Sequence, residues 1–203
     1  FSQLARMLGQ TGAQVWRVGF NRGDEHFWRL PGYVAHEAAP EDWPDHCARL
    51  IERHAISDLV LYGDSRPIHA EAVRLARARG LTVHVFEEGY LRPYWVTYER
   101  GGSNGNSRLM EMTVADMRRA LVLPGAEMPL APAHWGDMRE HMFYGALYHF
   151  FVMALNRRYR AFRPHRGITV GREFRLYLRR FLMMPWHRLE RAIVSRRIRR
   201  GGF

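Results

Sequence analysis

The sequence predicts an α/β fold, in which an open parallel sheet flanked by helices is followed by an arginine-rich helical segment. Three observations lead to this prediction. Short apolar runs alternate with segments of helical pattern, which is the order found in parallel α/β sheets. Hydrophobic residues make up 47% of the 203 residues and charged residues 25%, which suits a packed core. Residues 139–203 carry 16 arginines against 3 acidic residues, whereas residues 1–138 carry 15 against 17.

The first four predicted elements are a helix, a strand, a loop and a short strand. Residues 1–8 have a helical pattern, and glycines 9 and 12 suit the end of a helix. Residues 14–20 alternate weakly between polar and apolar side chains and predict a strand, and residues 33–38 predict a short one. Residues 21–32 are rich in Gly, Asp and Asn and predict a loop.

The next four predicted elements are two helix–strand pairs. A helix from Glu41 to His54 is predicted because acids occupy its first turn and arginines follow, which matches the helix dipole. Residues 57–63 are an apolar strand of the kind buried on both faces. A second helix ends at Gly80, and residues 81–87 form the next strand. Strands separated by helices pair in parallel through right-handed crossovers. Such a domain normally has a strand before its first helix, so we expect its first strand to be missing from this chain.

The remaining sequence divides into a loop, a connector and a basic segment. Residues 100–107 form a glycine-rich loop, and a short helix follows it. We predict an α/β domain over residues 1–110, a connector over 111–136, and a basic helical segment over 137–203 that leads to a C-terminal domain absent from this chain. Breaks in the helical segment are expected near the sequences RPHRG and MMPW.

Several classes of site and location are disfavoured. The single cysteine argues against a disulfide framework and suits a reducing cytoplasm. No zinc-site spacing is present, so we predict no metal. A lysine-containing phosphate loop and a strand-linked GxGxxG are missing, so no NAD or ATP site and no cofactor is predicted. The longest apolar run, residues 142–155, is shorter than the roughly 20 residues needed to span a bilayer. We therefore expect a cytoplasmic protein.

The basic segment predicts a phosphate-bearing partner, either nucleic acid or an anionic membrane surface. Nucleic acid is the less favoured partner because no RRM, KH or helix-turn-helix pattern is present and the aromatic residues lie away from the arginine runs. We therefore predict no nucleic-acid partner.

Polar residues follow three predicted strands, at the edge where an open parallel sheet binds its ligands. Acids and arginines would meet at this rim. Asp64 is equally consistent with a simple helix N-cap. Glu87 and Glu88 point to opposite faces if the strand continues through them, because neighbouring side chains alternate. The candidates at the three strand ends are Asn21, Asp24, Asp64, Arg66, His69, Glu87, Glu88 and Arg92.

Four motifs carry a resemblance to a known family. They are NRGDEHFW, LYGDSRPIHAEA, FEEGYLRPYWVTYERGGSNGNS and, more loosely, RYRAFRPHRG. In these motifs, over roughly residues 1–170, the sequence resembles capsule polysaccharide biosynthesis/export proteins of the KpsS/LipB type. The resemblance implies a Rossmann-like parallel sheet, the N-terminal half of a GT-B-like glycosyltransferase. It also implies a retaining β-Kdo transferase that uses CMP-Kdo to build the Kdo linker on a phosphatidylglycerol-type lipid.

The resemblance also implies roles for individual residues. Glu88 matches the position of the family's catalytic nucleophile, an aspartate in related linker enzymes, and Glu87 and then Asp64 are the competing acids. Arg66 and Arg92 are candidates to screen the sugar carboxylate from an anionic nucleophile. The strand-end residues Asn21, Asp24 and His69 and the loop residues Asn104, Asn106 and Ser107 match family motifs and are candidate substrate-binding residues. The nucleotide-binding half would lie in the absent domain, so we expect this chain alone to be inactive.

A different reading gives the chain no catalytic role. The α/β domain would be an interaction module whose basic tail binds the inner membrane or a capsule assembly and export complex. Both readings place the protein at the cytoplasmic side of the inner membrane, peripherally bound.

Overall fold

A computed structural model describes residues 1–89, 95–121, 138–163 and 170–200. They form an α/β structure with two small sheets. Seven α-helices and five strands lie in the described ranges: α1 (Ser2–Gln10), β1 (Arg17–Gly19), α2 (Arg22–Phe27), β2 (Tyr33–Ala35), α3 (Trp43–Arg53), β3 (Asp58–Tyr62), α4 (Pro67–Ala78), β4 (Thr82–Glu88), β5 (Val96–Arg100), α5 (Val114–Leu121), α6 (Met138–Ala154) and α7 (Val170–Arg200).

The strands pair as one two-stranded and one three-stranded sheet. β1 and β2 are parallel, with Val18 opposite Val34. β3 and β4 are also parallel, with Leu61 opposite Val85, and β5 joins β4 in antiparallel orientation. The crossover β3–α4–β4 is the unit that the alternating sequence pattern predicts, whereas β1–α2–β2 contains a helix where a loop was predicted. The α/β class is therefore confirmed.

The core lies between the sheets and the pair of helices α3 and α4. Trp43, Cys47 and Ile51 of α3 pack against Ala72 and Leu75 of α4. The other side of α4 packs against buried side chains of β3 and β4, namely Leu61, Val83 and Val85. The covered face of the β3–β4–β5 sheet therefore carries the odd-numbered residues of these strands, and the even-numbered residues point away from α4.

Two local predictions in the α/β region were wrong. The predicted loop 21–32 contains helix α2, because the Asn21 side chain caps its N-terminus and Asp24 and Glu25 occupy its first turn. The sheet is mixed rather than wholly parallel, because residues 96–100 fold back on β4 as an antiparallel strand. The strand predicted over 14–20 is confined to Arg17–Gly19.

The predicted break at MMPW was also wrong. α7 continues from Val170 to Arg200 with Pro185 inside it. Pro185 removes one backbone hydrogen bond, but Leu182, Met183 and Met184 before it are good helix formers, and the backbone stays helical through it. Most of the other expected break, RPHRG, lies outside the described residues. None of the described helices combines the length and apolar character needed to cross a membrane.

Candidate functional site

Asn21 and Asp24 form a tight polar network at the end of β1. The Asn21 side chain is 3% exposed, and its Oδ1 accepts from the Asp24 backbone N–H at 2.9 Å. Its Nδ2 donates to the Tyr148 hydroxyl of α6 at 2.8 Å and to Asp24 Oδ2 at 3.1 Å. Asp24 also accepts from the Phe20 backbone N–H at 3.0 Å and lies 3.7 Å from the Arg17 guanidinium. These contacts bind α6 to the α/β domain.

Gly23 lets α6 approach this network closely. A Cβ at this position would lie 2.6 Å from the Tyr148 ring, so only glycine leaves room for the ring. Burial raises the pKa of the Tyr148 phenol to about 12, and the Asp24 charge acts in the same direction. The phenol is therefore a neutral hydrogen-bonding group near physiological pH.

Asp64 holds the glycine-rich loop at the end of β3. Asp64 is 5% exposed, and its carboxylate accepts from the Ser103 backbone N–H at 2.9 Å and from Asn106 Nδ2 at 3.2 Å. The Ser103 hydroxyl lies 3.5 Å from the same carboxylate. A carboxylate whose oxygens are occupied in this way is suited to positioning the loop rather than to attacking a substrate.

We expect the Asp64→Ala variant to lose about 1–3 kcal/mol of unfolding free energy, because the Ser103 N–H and the Asn106 amide would lose their buried partner. Urea unfolding measures the loss. The matched control is Asp45→Ala, which removes an exposed carboxylate from α3 and is expected to cost less than about 1 kcal/mol. Equal losses in both variants would contradict the positioning role of Asp64.

His69 faces the same turn from the first turn of α4. Its Nδ1 donates to the Gly63 carbonyl at 2.7 Å, which leaves Nε2 of the neutral ring as an acceptor for a substrate hydroxyl. Burial lowers the pKa of His69, and the charges of Arg66 and Arg17 lower it further. Gly63 has a φ of 71°, which favours glycine in this turn.

Strand β4 continues through the paired glutamates, so their side chains lie on opposite faces of the sheet. Glu87 lies on the α4 side of the sheet, where its Oε1 would be 3.0 Å from a Cβ placed on Gly63. Glu88 is exposed and lies on the opposite face, across from Val96 of β5. The half-buried Glu87 therefore belongs to the Asp64 and His69 side of the rim, and Glu88 is the glutamate that solvent reaches.

The remaining candidates are loop residues and arginines. The Ser107 hydroxyl donates to the Glu99 carboxylate of β5 and accepts from the Leu109 backbone N–H at 3.1 Å. Asn104 has a φ of 51°, in the left-handed region. Arg66 is exposed at the N-terminal end of α4. Arg92 lies outside the described residues.

The structure thus groups the candidates into two networks. Asn21 and Asp24 are joined to Tyr148 of α6 at the end of β1. The other network brings together the end of β3, the first turn of α4, Glu87 and the loop, namely Asp64, His69, Glu87, Ser103, Asn106 and Ser107. The second network is a polar rim at the carboxyl ends of parallel strands, which is where an α/β sheet binds ligands. No group of three or more His, Cys, Asp or Glu side chains suited to a metal ion occurs in the part of the chain that the structure describes.

Sequence reasoning missed the docking of Tyr159. This side chain is 1% exposed, and its hydroxyl pairs with the Tyr33 hydroxyl at 2.8 Å and with Glu25 at 3.1 Å. Arg158 bonds to Glu37 at 2.7 Å and to Glu25 at 3.1 Å. Burial opposes ionisation of Glu25, but hydrogen bonds from Arg22 and Tyr159 outweigh it and lower the pKa of Glu25. In the sequence, the feature that could have indicated this docking is the tyrosine within the RYRAFRPHRG motif.

A second missed cluster lies on the open face of the sheet. His84 of β4 contacts Asp58 of β3 through Nε2 at 2.9 Å and Tyr98 of β5 through Nδ1 at 2.7 Å. The Ser57 hydroxyl donates to the same aspartate at 2.6 Å, and hydrogen bonds from Ser57 and then His84 lower the pKa of Asp58. This chain of hydrogen bonds ties the three strands together.

Two partly buried histidines predict a loss of stability in mild acid. Burial lowers the pKa of His69 and of His46, whose Nδ1 lies 2.7 Å from Nδ1 of the buried His36. Because their folded-state pKa values lie below the unfolded value near 6.5, their contribution is fully present above about pH 6.5 and is lost as the pH falls further. Urea unfolding at pH 7.5 and 5.5 measures the loss. The double substitution His46→Gln, His69→Gln is expected to flatten the pH dependence, and an unchanged slope would contradict this assignment.

Comparison with known proteins agrees with the motif pattern. The family model for "Capsule polysaccharide biosynthesis protein" matches residues 57–198. The Escherichia coli "Capsule polysaccharide export protein KpsS" is 38% identical over 109 residues, which are 54% of this chain and 28% of that protein. The "Capsule polysaccharide modification protein LipB" of Neisseria meningitidis serogroup A is 37% identical over 113 residues, 54% of this chain and 26% of that protein.

The extent of these matches is limited. The chain spans about a quarter of the length of each relative. No solved structure matches it significantly. The Asp64 rim, the paired glutamates and the glycine-rich loop all lie within the range that the family model matches.

Proposed function

Because this chain belongs to the family of capsule polysaccharide biosynthesis proteins, we propose that it is the N-terminal part of a retaining β-Kdo transferase. The enzyme takes Kdo from CMP-Kdo and builds the Kdo linker on a phosphatidylglycerol-type lipid. The observation that carries this proposal is the pair of glutamates at the end of β4, where Glu88 is exposed and Glu87 lies on the face of the sheet that carries Asp64 and His69. The GT-B architecture of the whole enzyme is part of the same proposal.

The proposed reaction is a double displacement. The Glu88 carboxylate attacks the anomeric carbon of Kdo, and the new carbon–oxygen bond gives the glycosyl-enzyme. The bond between the anomeric carbon and the phosphate oxygen breaks, and CMP leaves with that oxygen. The acceptor hydroxyl then attacks the same carbon, gives up its proton to a base, and releases Glu88. Net retention results from the two inversions. CMP is a good leaving group, so the step needs neither a metal nor a cofactor from this chain.

Charge is the main obstacle to this attack. Kdo carries a carboxylate next to its anomeric carbon, so an anionic nucleophile meets an anionic substrate. Arg66 is exposed at the N-terminal end of α4, on the same rim, and can pair with a carboxylate. Arg92 is proposed for the same task from its position four residues after Glu88. The unprotonated Nε2 of His69 is available to an acceptor hydroxyl.

Transfer by the intact protein, meaning the full-length enzyme of which we propose this chain is a part, tests the proposal. Purified protein is incubated with CMP-Kdo and a phosphatidylglycerol lipid acceptor, and released CMP and glycosylated lipid are both quantified. We expect CMP release to depend on the acceptor and to match the amount of product. Absence of product, with the protein folded by circular dichroism, would contradict the transferase proposal.

A non-catalytic role is the second candidate. The relative from Escherichia coli is named an export protein, and α7 exposes many apolar side chains that a partner would cover. In this reading the chain joins a capsule assembly and export complex. Capture of export components without any transfer to lipid would favour it. In either case we propose a cytoplasmic protein bound peripherally to the anionic inner-membrane surface, with no nucleic-acid partner.

A further inference from the structure

Helix α7 has no packed core side along its length. It runs for 31 residues, from Val170 to Arg200, and every one of its side chains whose exposure is described is exposed. A helix of this length normally buries an apolar stripe against the rest of the protein. α7 has such stripes, but the structure leaves them in solvent.

The distal half of α7 carries one apolar stripe. Leu182, Trp186, Leu189 and Ile193 are spaced i, i+4, i+7 and i+11, so they lie on one face of the helix. They are 68%, 61%, 54% and 46% exposed. We call these four residues the distal stripe.

The proximal half carries a second stripe on another side of the helix. Phe174, Tyr177, Leu178 and Phe181 are spaced i, i+3, i+4 and i+7. At 3.6 residues per turn this face is rotated by about 100° from the distal stripe. Tyr177 contacts the His149 ring of α6, with ring centroids 6.2 Å apart. The proximal stripe therefore contacts α6 through Tyr177, whereas the distal stripe has no such contact among the described residues.

Arginines border the distal stripe on both sides. Arg179 and Arg197 lie about 50° to one side of it and Arg196 about 50° to the other. The whole helix has ten arginines and two glutamates, so its charge is strongly positive. An apolar strip edged by cations complements an anionic lipid surface, because the apolar side chains enter the acyl boundary and the guanidinium groups reach the headgroup phosphates.

We propose that the distal stripe is the face by which the protein binds an anionic bilayer. This inference rests on the proposed binding to the inner membrane, and it assigns that binding to the four side chains of the distal stripe. Trp186 lies at the centre of the stripe, and tryptophan favours the membrane–water boundary. Pro185 lies within the span of the distal stripe, between Leu182 and Trp186, and α7 continues through it.

Two adjacent substitutions in the intact protein test the proposal. Ile193→Glu puts a carboxylate into the distal stripe, and Val194→Glu makes the same charge change about 100° around the helix, on an apolar residue of 48% exposure. Binding is measured by co-sedimentation with vesicles of phosphatidylglycerol and phosphatidylcholine, and with phosphatidylcholine alone. We expect Ile193→Glu to weaken binding to the anionic vesicles at least about tenfold and Val194→Glu by less than about threefold.

Trp186 supplies an independent readout. Its emission, taken as the difference between the unsubstituted protein and Trp186→Phe, is expected to shift to shorter wavelength on anionic vesicles and to be quenched by spin-labelled lipid. Equal weakening by the two glutamate variants, or an unshifted Trp186 emission, would overturn the proposal. The proposal would also be overturned if RNA displaced the protein from vesicles and bound the Ile193→Glu variant as well as the unsubstituted protein. Transfer to a water-soluble acceptor analogue should survive Ile193→Glu, so failure of this proposal remains distinguishable from failure of the transferase proposal.

Discussion

Replacement of Glu88 by glutamine in the intact protein is expected to reduce Kdo transfer by at least about a thousandfold, because the amide cannot form the glycosyl-enzyme ester. Glu88 is exposed at the end of β4, and the change keeps its shape while removing its charge. The measurement is kcat/KM for CMP-Kdo with a lipid acceptor.

Glu87→Gln is the matched control, since it makes the same change one residue earlier on the other face of the strand. Glu87 is half-buried beside Gly63, so we expect a loss of less than about tenfold. A near-normal rate for Glu88→Gln, or a larger loss for Glu87→Gln, would remove Glu88 from the nucleophile role.

Tyr159→Ala is expected to cost about 3–5 kcal/mol of unfolding free energy, the largest stability effect that we predict. Tyr159 is 1% exposed, and its loss leaves both a cavity and unpaired polar groups on Tyr33 and Glu25. Chemical denaturation monitored by circular dichroism measures the change.

Tyr159→Phe separates the ring from the hydroxyl. It keeps the buried ring and removes only the hydrogen bonds, so we expect a loss of about 1–3 kcal/mol. Equal losses for the two variants would show that the hydroxyl, and not the packed ring, carries the effect. A loss below about 1 kcal/mol for Tyr159→Ala would contradict the docking of residues 156–163 on the α/β domain.

The parts of the fold that the sequence predicts best are those with strong local patterns. The apolar runs that became β3 and β4 and the amphipathic helices α3 and α4 carry their own signals. α2 was missed because Gly23 and the polar residues of RGDEHF resemble a loop, and its stability depends on the Asn21 cap and on Tyr148, which is more than 120 residues away. β5 was missed because an edge strand at the start of a glycine-rich loop has only a weak pattern.

The candidate site also divides into residues with a local sequence signal and residues whose partners depend on tertiary packing. Of the residues that follow the three strands, Asp64, His69 and Glu87 lie around Gly63 at the ends of β3 and β4, whereas Asn21 and Asp24 bind Tyr148 at the end of β1, a strand of the other sheet. Alternation along β4 predicted that the two glutamates would face opposite ways, and they do. The links from Asp24 to Tyr148 and from Glu25 to Tyr159 depend on tertiary packing, and nothing in the local sequence indicates which distant hydroxyl will be the partner.

The most direct test of the central claim is identification of the covalent intermediate. The intact protein is mixed with CMP-Kdo without acceptor, quenched in acid and digested, and the peptide that contains residues 84–95 is analysed by mass spectrometry. The transferase account predicts one Kdo esterified to Glu88, absent in Glu88→Gln and present in Glu87→Gln. An adduct on any other side chain, or transfer that proceeds without an adduct, would contradict it.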